Sequence, residues 1–236
     1  MADALDLVGR ILRPGVTTGE LDAAVEELIR SWGATPSFKG YFGYPASICV
    51  SINEQVVHGI PDGRAIKDGE IVSVDIGVYL DGYHGDGART FAVGDIPEGA
   101  RKLMRVTREC LELGIEQAQP GNRIGDISAA VQRHAEENGF GVVRQLVGHG
   151  IGQSLHEDPQ VPNFGLPGQG PKIRAGMVLA IEPMINEGSF EVYTLADEWT
   201  VVTRDHKLSA HFEHTVAITD GGPVVLTVPN GDRGER

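Results

Sequence analysis

"PGVTTGELDAAV", beginning at Pro14, returns as "PGNRIGDISAAV" at Pro120, with Pro, two Gly, an acid, two Ala and a Val in register. Further along, "DGEIVSVDIG" from Asp68 lines up with "AGMVLAIEPM" from Ala175, at an offset only one residue longer. Two matches at nearly one offset describe a chain built from two related halves, about 1–95 and 98–226, and restrict the fold to one with internal pseudo-symmetry. A length of 236 residues, 41% of them hydrophobic, suits one well-cored unit or two small halves fused into one. We expect a single domain over 1–236, with 227–236 as a flexible tail.

Both halves read in the same order: a helix, a Pro-Gly turn, a second helix, then strands. Leu21, Val25, Leu28 and Ile29 mark an amphipathic helix in the first half, as Ile127, Ala130, Val131 and His134 do in the second. Short apolar runs separated by Gly and Pro follow as strands. The expected class is α+β, with two helix pairs packed on one antiparallel sheet.

Within "IVSVDIGVYLDGYHGD", Asp75 interrupts a run of β-branched residues, where an unpaired carboxylate would lose its hydration. The alignment of the halves puts Glu182 opposite it. Asp81-Gly82 signals a two-residue turn, so Leu80 should pair with Tyr83, Tyr79 with His84 and Gly77 with Asp86. Alternation then places Asp75, Gly77 and Tyr79 on one face with His84 and Asp86, and sends Val72, Val74, Ile76, Val78 and Leu80 to an apolar face. Asp86 falls diagonally across from Asp75, roughly 7–8 Å away at the backbone, with Gly77 leaving the space between them open.

Two carboxylates this close repel or take up a proton unless a cation neutralises them. Pseudo-symmetry brings Glu182 of "VLAIEPM" to the same place, and Glu213 of "HFEHTVAI" comes from an adjacent strand. His149, between glycines in "VGHGIGQSLHEDP", can reach out of a strand end. Four carboxylates and one imidazole balance two divalent cations, with Mn, Fe(II) or Co favoured, Zn admitted and a thiolate-rich zinc site excluded. Paired ions of this kind acidify a water for attack on a carbonyl, so the chemistry indicated is hydrolysis.

Composition closes other routes. A formal net charge of −13 without a Lys/Arg cluster argues against nucleic-acid specificity and an anionic membrane surface. No signal peptide and no run of roughly 18 apolar residues is visible, and two cysteines make no disulfide framework, so the expected location is cytoplasmic. Cys49 lacks a convincing His partner for nucleophilic work, Cys110 sits at core helical spacing, and neither G-x-S-x-G nor H-E-x-x-H occurs. His84 reads as structural, and His134, His206 and His211 as surface or core histidines.

"SINEQVVHGIP", "VDIGVYLDGYHGD", "GHGIG", "IEPM" and "FEHT", in this order, resemble the type I methionine aminopeptidases of the pita-bread metallopeptidase fold, from about Pro14 to Leu226. The resemblance implies a catalytic domain that hydrolyses N-terminal methionine from peptides and nascent chains, with a small second residue, by a hydroxide held between two ions. It implies Asp75 as chelating ligand of one metal, Asp86 and Glu213 as bridging ligands, and His149 and Glu182 as ligands of the second, Glu182 also moving a proton. It makes His58 and His156 catalytic and substrate-binding, and Tyr41, Tyr44, Cys49 and Trp199 walls of a methionine pocket. Leu155 stands where an aromatic is expected and Phe38 where smaller residues are common, so both enter the pocket as departures. Only 13 residues precede Pro14, fewer than the helix that can run back from Pro120 to about Glu98, so the usual opening of the family is expected to be missing or trimmed. A monomer is expected, and the sequence locates no ribosome contact. The competing readings are a proline-directed aminopeptidase of the same fold and a non-catalytic pita-bread binding module, whose mark would be a ligand replaced by a neutral residue.

Overall fold

The computed structural model describes residues 1–228. Four α-helices are present among them: α1 (Ala2–Ile11), α2 (Thr18–Ser31), α3 (Glu98–Gln117) and α4 (Ile124–Glu137). The pattern that announced α2 is its buried face, since Leu21, Val25 and Ile29 are fully buried and Leu28 packs beside them. On α4, Ile127, Ala130 and Val131 are buried, while His134 stays half-buried and bonds Glu109 at 2.8 Å.

The repeat is visible in single hydrogen bonds. Gly15 N–H donates to Ile66 O at 2.8 Å and Gly19 N–H to Asp62 O at 2.7 Å. In the second half Gly121 N–H donates to Ile173 O at 3.0 Å and Gly125 N–H to Gln169 O at 2.9 Å. Both Pro-Gly turns therefore strap the start of a long helix to the loop before the central strand. A methyl at Gly19 would lie 2.9 Å from Asp62 O, and one at Gly125 would meet Leu166 O, which explains glycine at this point of both repeats. The helix starts differ in chemistry. Thr17 and Glu20 form a reciprocal capping box, whereas at Arg123 only the backbone N–H is held, by Asp126 Oδ2 at 2.7 Å.

All strand pairs are antiparallel, but the expected single sheet is divided into ladders. In the first half Ile71–Asp75 lies between Cys49–Ile52 and Ala88–Ala92. In the second, Val178–Ile181 lies between Gly148–Gly150 and His214–Thr219, with Glu157–Val161 and Gly222–Val225 added outside. The divisions are kinks rather than slips. Asp75 pairs with Ala88, and the same register resumes beyond the break with Val78 opposite Gly85. Likewise Ile181 pairs with His214, and the register resumes with Met184 opposite His211.

The hairpin pairs Tyr79 with His84 and Leu80 with Tyr83 as expected, and Asp81 and Gly82 both take positive φ, the geometry of a type I′ turn. Leu80 departs from its expected apolar face. It is 44% exposed, because the hairpin tip runs past the core that covers Val72, Val74, Ile76 and Val78. One apolar cluster joins α1 and α2 to the first ladder, another joins α4 and the end of α3 to the second, and a third, around Ile71, Leu103, Val131 and Ile185, fills the junction. Of the tail expected over 227–236, the structure describes only Thr227 and Val228. Thr227 is buried and its hydroxyl bonds His214 Nδ1 and Thr215 N, while 229–236 lie outside the described residues.

Replacing Gly19 with Ala should destabilise the protein by about 1–3 kcal/mol through that backbone collision. Gly63, with open space around its Cβ position and no positive φ, should tolerate Ala with little loss. Urea midpoints at unchanged slope measure both, and equal midpoints would contradict the strap.

Candidate metal centre and pocket

The four carboxylates singled out from the sequence all stand where a strand leaves its ladder. Asp75 ends Ile71–Asp75, Asp86 lies between Tyr83–Gly85 and Ala88–Ala92, Glu182 follows Val178–Ile181, and Glu213 precedes His214–Thr219. A kink at such a point re-aims side chains that a regular pleat would send up or down. His149 arrives differently, from within Gly148–Gly150, whose outer glycines lie so close to Ala180 O and Asp158 O that a Cβ at either would collide. Its Nδ1 bonds Gly150 O at 2.8 Å, which leaves Nε2 facing the carboxylates.

Asp86, His149 and Glu213, all buried, bring ligand atoms within 4.8 Å of one another. His149 Nε2 lies 3.7 Å from Glu182 Oε1. Burial pushes the Asp75 carboxyl well above the usual range, with Asp86 and Glu182 adding repulsion, and pushes Glu213 up in the same way. Burial also raises Asp86 to about 6 and Glu182 to about 7, against the partial relief His149 gives both. Asp75 Oδ1 and Glu213 Oε1 are buried without a hydrogen-bond partner, and no Lys or Arg among the described residues lines the cavity. Orphaned carboxylate oxygens converging with an imidazole are a donor set that fits divalent metal and little else.

One cavity of about 240 Å³ is lined by every residue that the sequence analysis named for the site, with Phe42 in addition. Its other wall is apolar. Tyr44 meets Trp199 edge-on at 5.0 Å between ring centres, and its hydroxyl donates to Gly59 O at 2.9 Å. Cys49 is fully buried and its thiol is pushed up by burial, so it serves as packing. Leu155 and Phe38 belong to one apolar cluster, so both positions expected to depart from the family pattern fall within a single wall. The space beside Gly77 is not open, as expected from the sequence, but filled. A Cβ there would stand 2.6 Å from Phe38 Cε1.

Two imidazoles flank the carboxylates. His58, held at φ 59 after the Gln55–Val57 strand, is kept near 4 by burial and the neighbouring His211. At the mouth, His156 packs against His149 with the rings tilted by 59° and centroids 4.2 Å apart, and shares a hydrogen bond between its Nδ1 and the Tyr41 hydroxyl at 2.7 Å. His84 bonds Ser37 at 2.9 Å and does not line the cavity. Sequence reasoning missed His211. It is buried, 3.5 Å from Glu182 Oε2, and its Nε2 has no other partner. The signal was present, since His211 and Glu213 are two residues apart on one extended segment and so share a face. It also missed Phe42, 86% exposed at the rim, which no periodicity could have marked.

Residues 1–220 match the model of metallopeptidase family M24. The chain belongs to that family. A methionine aminopeptidase of Clostridium perfringens is 59% identical over 97% of the chain and 92% of its own length. The crystal structure of a methionine aminopeptidase from Thermotoga maritima superposes with a TM-score of 0.95 at 48% identity, covering 97% of this chain and 92% of that one. A prolidase from Pyrococcus furiosus matches at a TM-score of 0.79 and 24% identity, with 97% of this chain covering 60% of it, which shows shared architecture alone. The architecture is the α+β pita-bread fold, and the M24 protein is a metallopeptidase that uses divalent metal.

The sign of the pH dependence follows for the metal-free M24 protein. Asp75, Asp86, Glu182 and Glu213 hold protons in the folded state that the unfolded chain has released, so the stability they give is complete below the ordinary carboxyl range near 4 and is lost as pH rises from there through about 6 for Asp86, about 7 for Glu182 and higher for the other two. His58 and His211, kept near 4 and 3 by burial, remain neutral where unfolded histidine charges, so stability is also lost as pH falls below about 6.5. Below about 6.5 the two effects oppose each other, so thermal unfolding in chelator should change little from pH 5 to 6.5 and fall from there to 8.5, and Mn(II) should flatten the alkaline side. A metal-free protein that keeps gaining stability toward pH 8.5 would contradict the carboxylate cluster.

Proposed function

We propose that this metallopeptidase removes the N-terminal methionine from peptides and nascent chains whose second residue is small, as a single-domain monomer in the cytoplasm. The observation that carries the reading is the division of one cavity into a carboxylate–imidazole end and an aromatic end. At about 240 Å³ it is smaller than the roughly 300–1,000 Å³ that holds a drug-sized ligand, and suits one side chain with its amino group and first peptide bond. Tyr44, Trp199, Cys49, Phe38 and Leu155 offer a thioether soft, ring-lined contact.

Asp75, Asp86, His149, Glu182 and Glu213 would hold two divalent ions, with Mn, Fe(II) or Co favoured and Zn admitted. When bound, such ions polarise a carbonyl and acidify a water. The chain's own residues do the rest. In the tautomer that this role requires, the Tyr41 hydroxyl donates to His156 Nδ1 across their 2.7 Å contact, and the ring proton stands on Nε2, from which His156 can donate to the oxygen of the carbonyl under attack. His58 meets the peptide nitrogen from the other side. Glu182, whose carboxyl titrates near neutrality in the unliganded site, passes a proton to the leaving amine. No ligand position carries a neutral residue, which speaks against a non-catalytic module. No feature of the pocket favours an Xaa-Pro substrate.

Chelation should abolish activity, and Mn, Fe(II) or Co should restore it. Asp86→Asn should lose metal and nearly all turnover, and full activity with unchanged metal content in that variant would refute this ligand set.

From a mixture of Met-Ala, Leu-Ala and Xaa-Pro peptides, only Met-Ala should be cut. His156→Ala and His58→Ala should each keep full metal content while slowing turnover roughly 10²–10³-fold, the usual loss for one such donor. Calorimetry beside the kinetics separates the roles: a His156 variant short of one ion would make that residue a ligand.

A further inference from the structure

Behind the carboxylates the two halves are joined by a reciprocal pair of threonines. The Thr215 hydroxyl accepts from Asp86 N–H at 2.9 Å and donates to Asp86 O at 2.8 Å. The Thr90 hydroxyl accepts from His211 N–H at 2.9 Å and donates to His211 O at 2.8 Å. The arrangement is the internal repeat in miniature. Gly69 and Gly176, equivalent in the two halves, donate to Val93 O and Ile218 O. Counting back three residues from those carbonyls reaches Thr90 and Thr215, and seven reaches Asp86 and His211. Each threonine thus grips, in the opposite half, the equivalent of the residue that its own partner threonine grips. All four residues are 4% exposed or less. Thr215 is itself pinned, its N–H donating to the hydroxyl of Thr227 at 3.1 Å.

We propose that Thr215 is a positioning residue for the metal centre. Asp86 sits in a kink where no ladder bond fixes its peptide, and one hydroxyl that both accepts from and donates to that peptide restores the missing constraint. The direction in which the Asp86 carboxylate points, and hence the separation of Asp86 from Glu213 two residues before Thr215, depends on this clamp. Thr90 makes the same pair of bonds to a residue that is not a ligand, so the fold contains its own control.

The proposal rests on Asp86 being a ligand. Co(II) is titrated by calorimetry, with its visible absorption followed, into the metal-free full chain and into Thr215→Val, Thr215→Ser and Thr90→Val. Thr215→Val should bind Co(II) roughly 10–100-fold more weakly and show an altered spectrum, the scale usual for loss of a group that orients a ligand. Thr215→Ser, which keeps the hydroxyl, should return to within a few-fold of the parent. Thr90→Val should lower the melting temperature alongside Thr215→Val while holding Co(II) nearly as the parent does. Unchanged affinity in Thr215→Val, or an equal loss in Thr90→Val, would overturn the proposal. Should Val at 215 prevent folding, Thr215→Ala against Thr215→Ser reads the same difference. In the unaltered metal-free protein, an Asp86 amide that exchanges with solvent as fast as an exposed loop amide would also overturn it. If Asp86→Asn keeps its metal, the reading of the site has failed, whereas loss there with no loss in Thr215→Val defeats the clamp alone.

Discussion

Four carboxylates meet in a cavity that no lysine or arginine among the described residues lines, and the rest of the molecule is arranged around that fact. Two unit charges about 4 Å apart repel by about 4 kcal/mol at an effective dielectric of 20. A folded domain has only about 5–15 kcal/mol of net stability, so even one fully charged pair would consume much of it. Without metal the site survives by keeping protons, which is what the raised carboxyls of Asp75, Asp86, Glu182 and Glu213 express. Under the proposed ligand set, divalent metal would turn the same groups into a link between the halves, since Asp75 and Asp86 come from the first and Glu182 and Glu213 from the second.

The duplication explains how such a cluster can be built at all. Each half carries one long antiparallel pair that keeps its register across a kink, Ile71–Leu80 against Tyr83–Ala92 and Val178–Asn186 against Ser209–Ala217. The two kinks face each other, and a kink frees side chains from the pleat at the place where they must converge. The scaffold repeats but the chemistry does not. Asp75 has Glu182 as its counterpart, whereas Asp86 is matched by His211 and Glu213 by Ala88. The first half therefore supplies an aspartate where the second has an imidazole, and the second a glutamate where the first has a methyl group. A symmetric frame yields an asymmetric site.

Much of this was legible in the chain because it rests on local rules. The repeat, the amphipathic faces of α2 and α4, the Asp81-Gly82 turn and the hairpin register all follow from periodicity and turn chemistry, and from the register comes the proximity of Asp75 to Asp86. What escaped depends on contacts between distant segments. The division of the sheet into ladders is a consequence of kinks at Gly77, Gly87 and Pro183, whose turn chemistry marks a break but not how the strands resume beyond it. Gly77 reads as empty space until Phe38, from another element, fills it. Thr90 and Thr215 look like ordinary strand threonines, and only the approach of the two halves gives their hydroxyls work. His211 is the avoidable omission, since alternation along "HFEHT" already placed it beside Glu213.

The imidazoles complete the electrostatic argument. Burial holds His58 near 4 and His211 near 3, and lowers His156, with the charges of His58 and His84 acting in the same direction. Were these rings cationic near neutral pH, they would neutralise the carboxylates from within and weaken the site's attraction for metal. Because burial keeps them neutral, the negative charge is left to an external cation, and the rings remain able to donate or accept a single proton. The desolvation that raises the carboxyls and the desolvation that lowers the imidazoles are one physical effect. Acting on opposite kinds of acid, it leaves the cavity short of cations and rich in neutral donors, the combination a metal-assisted hydrolase requires.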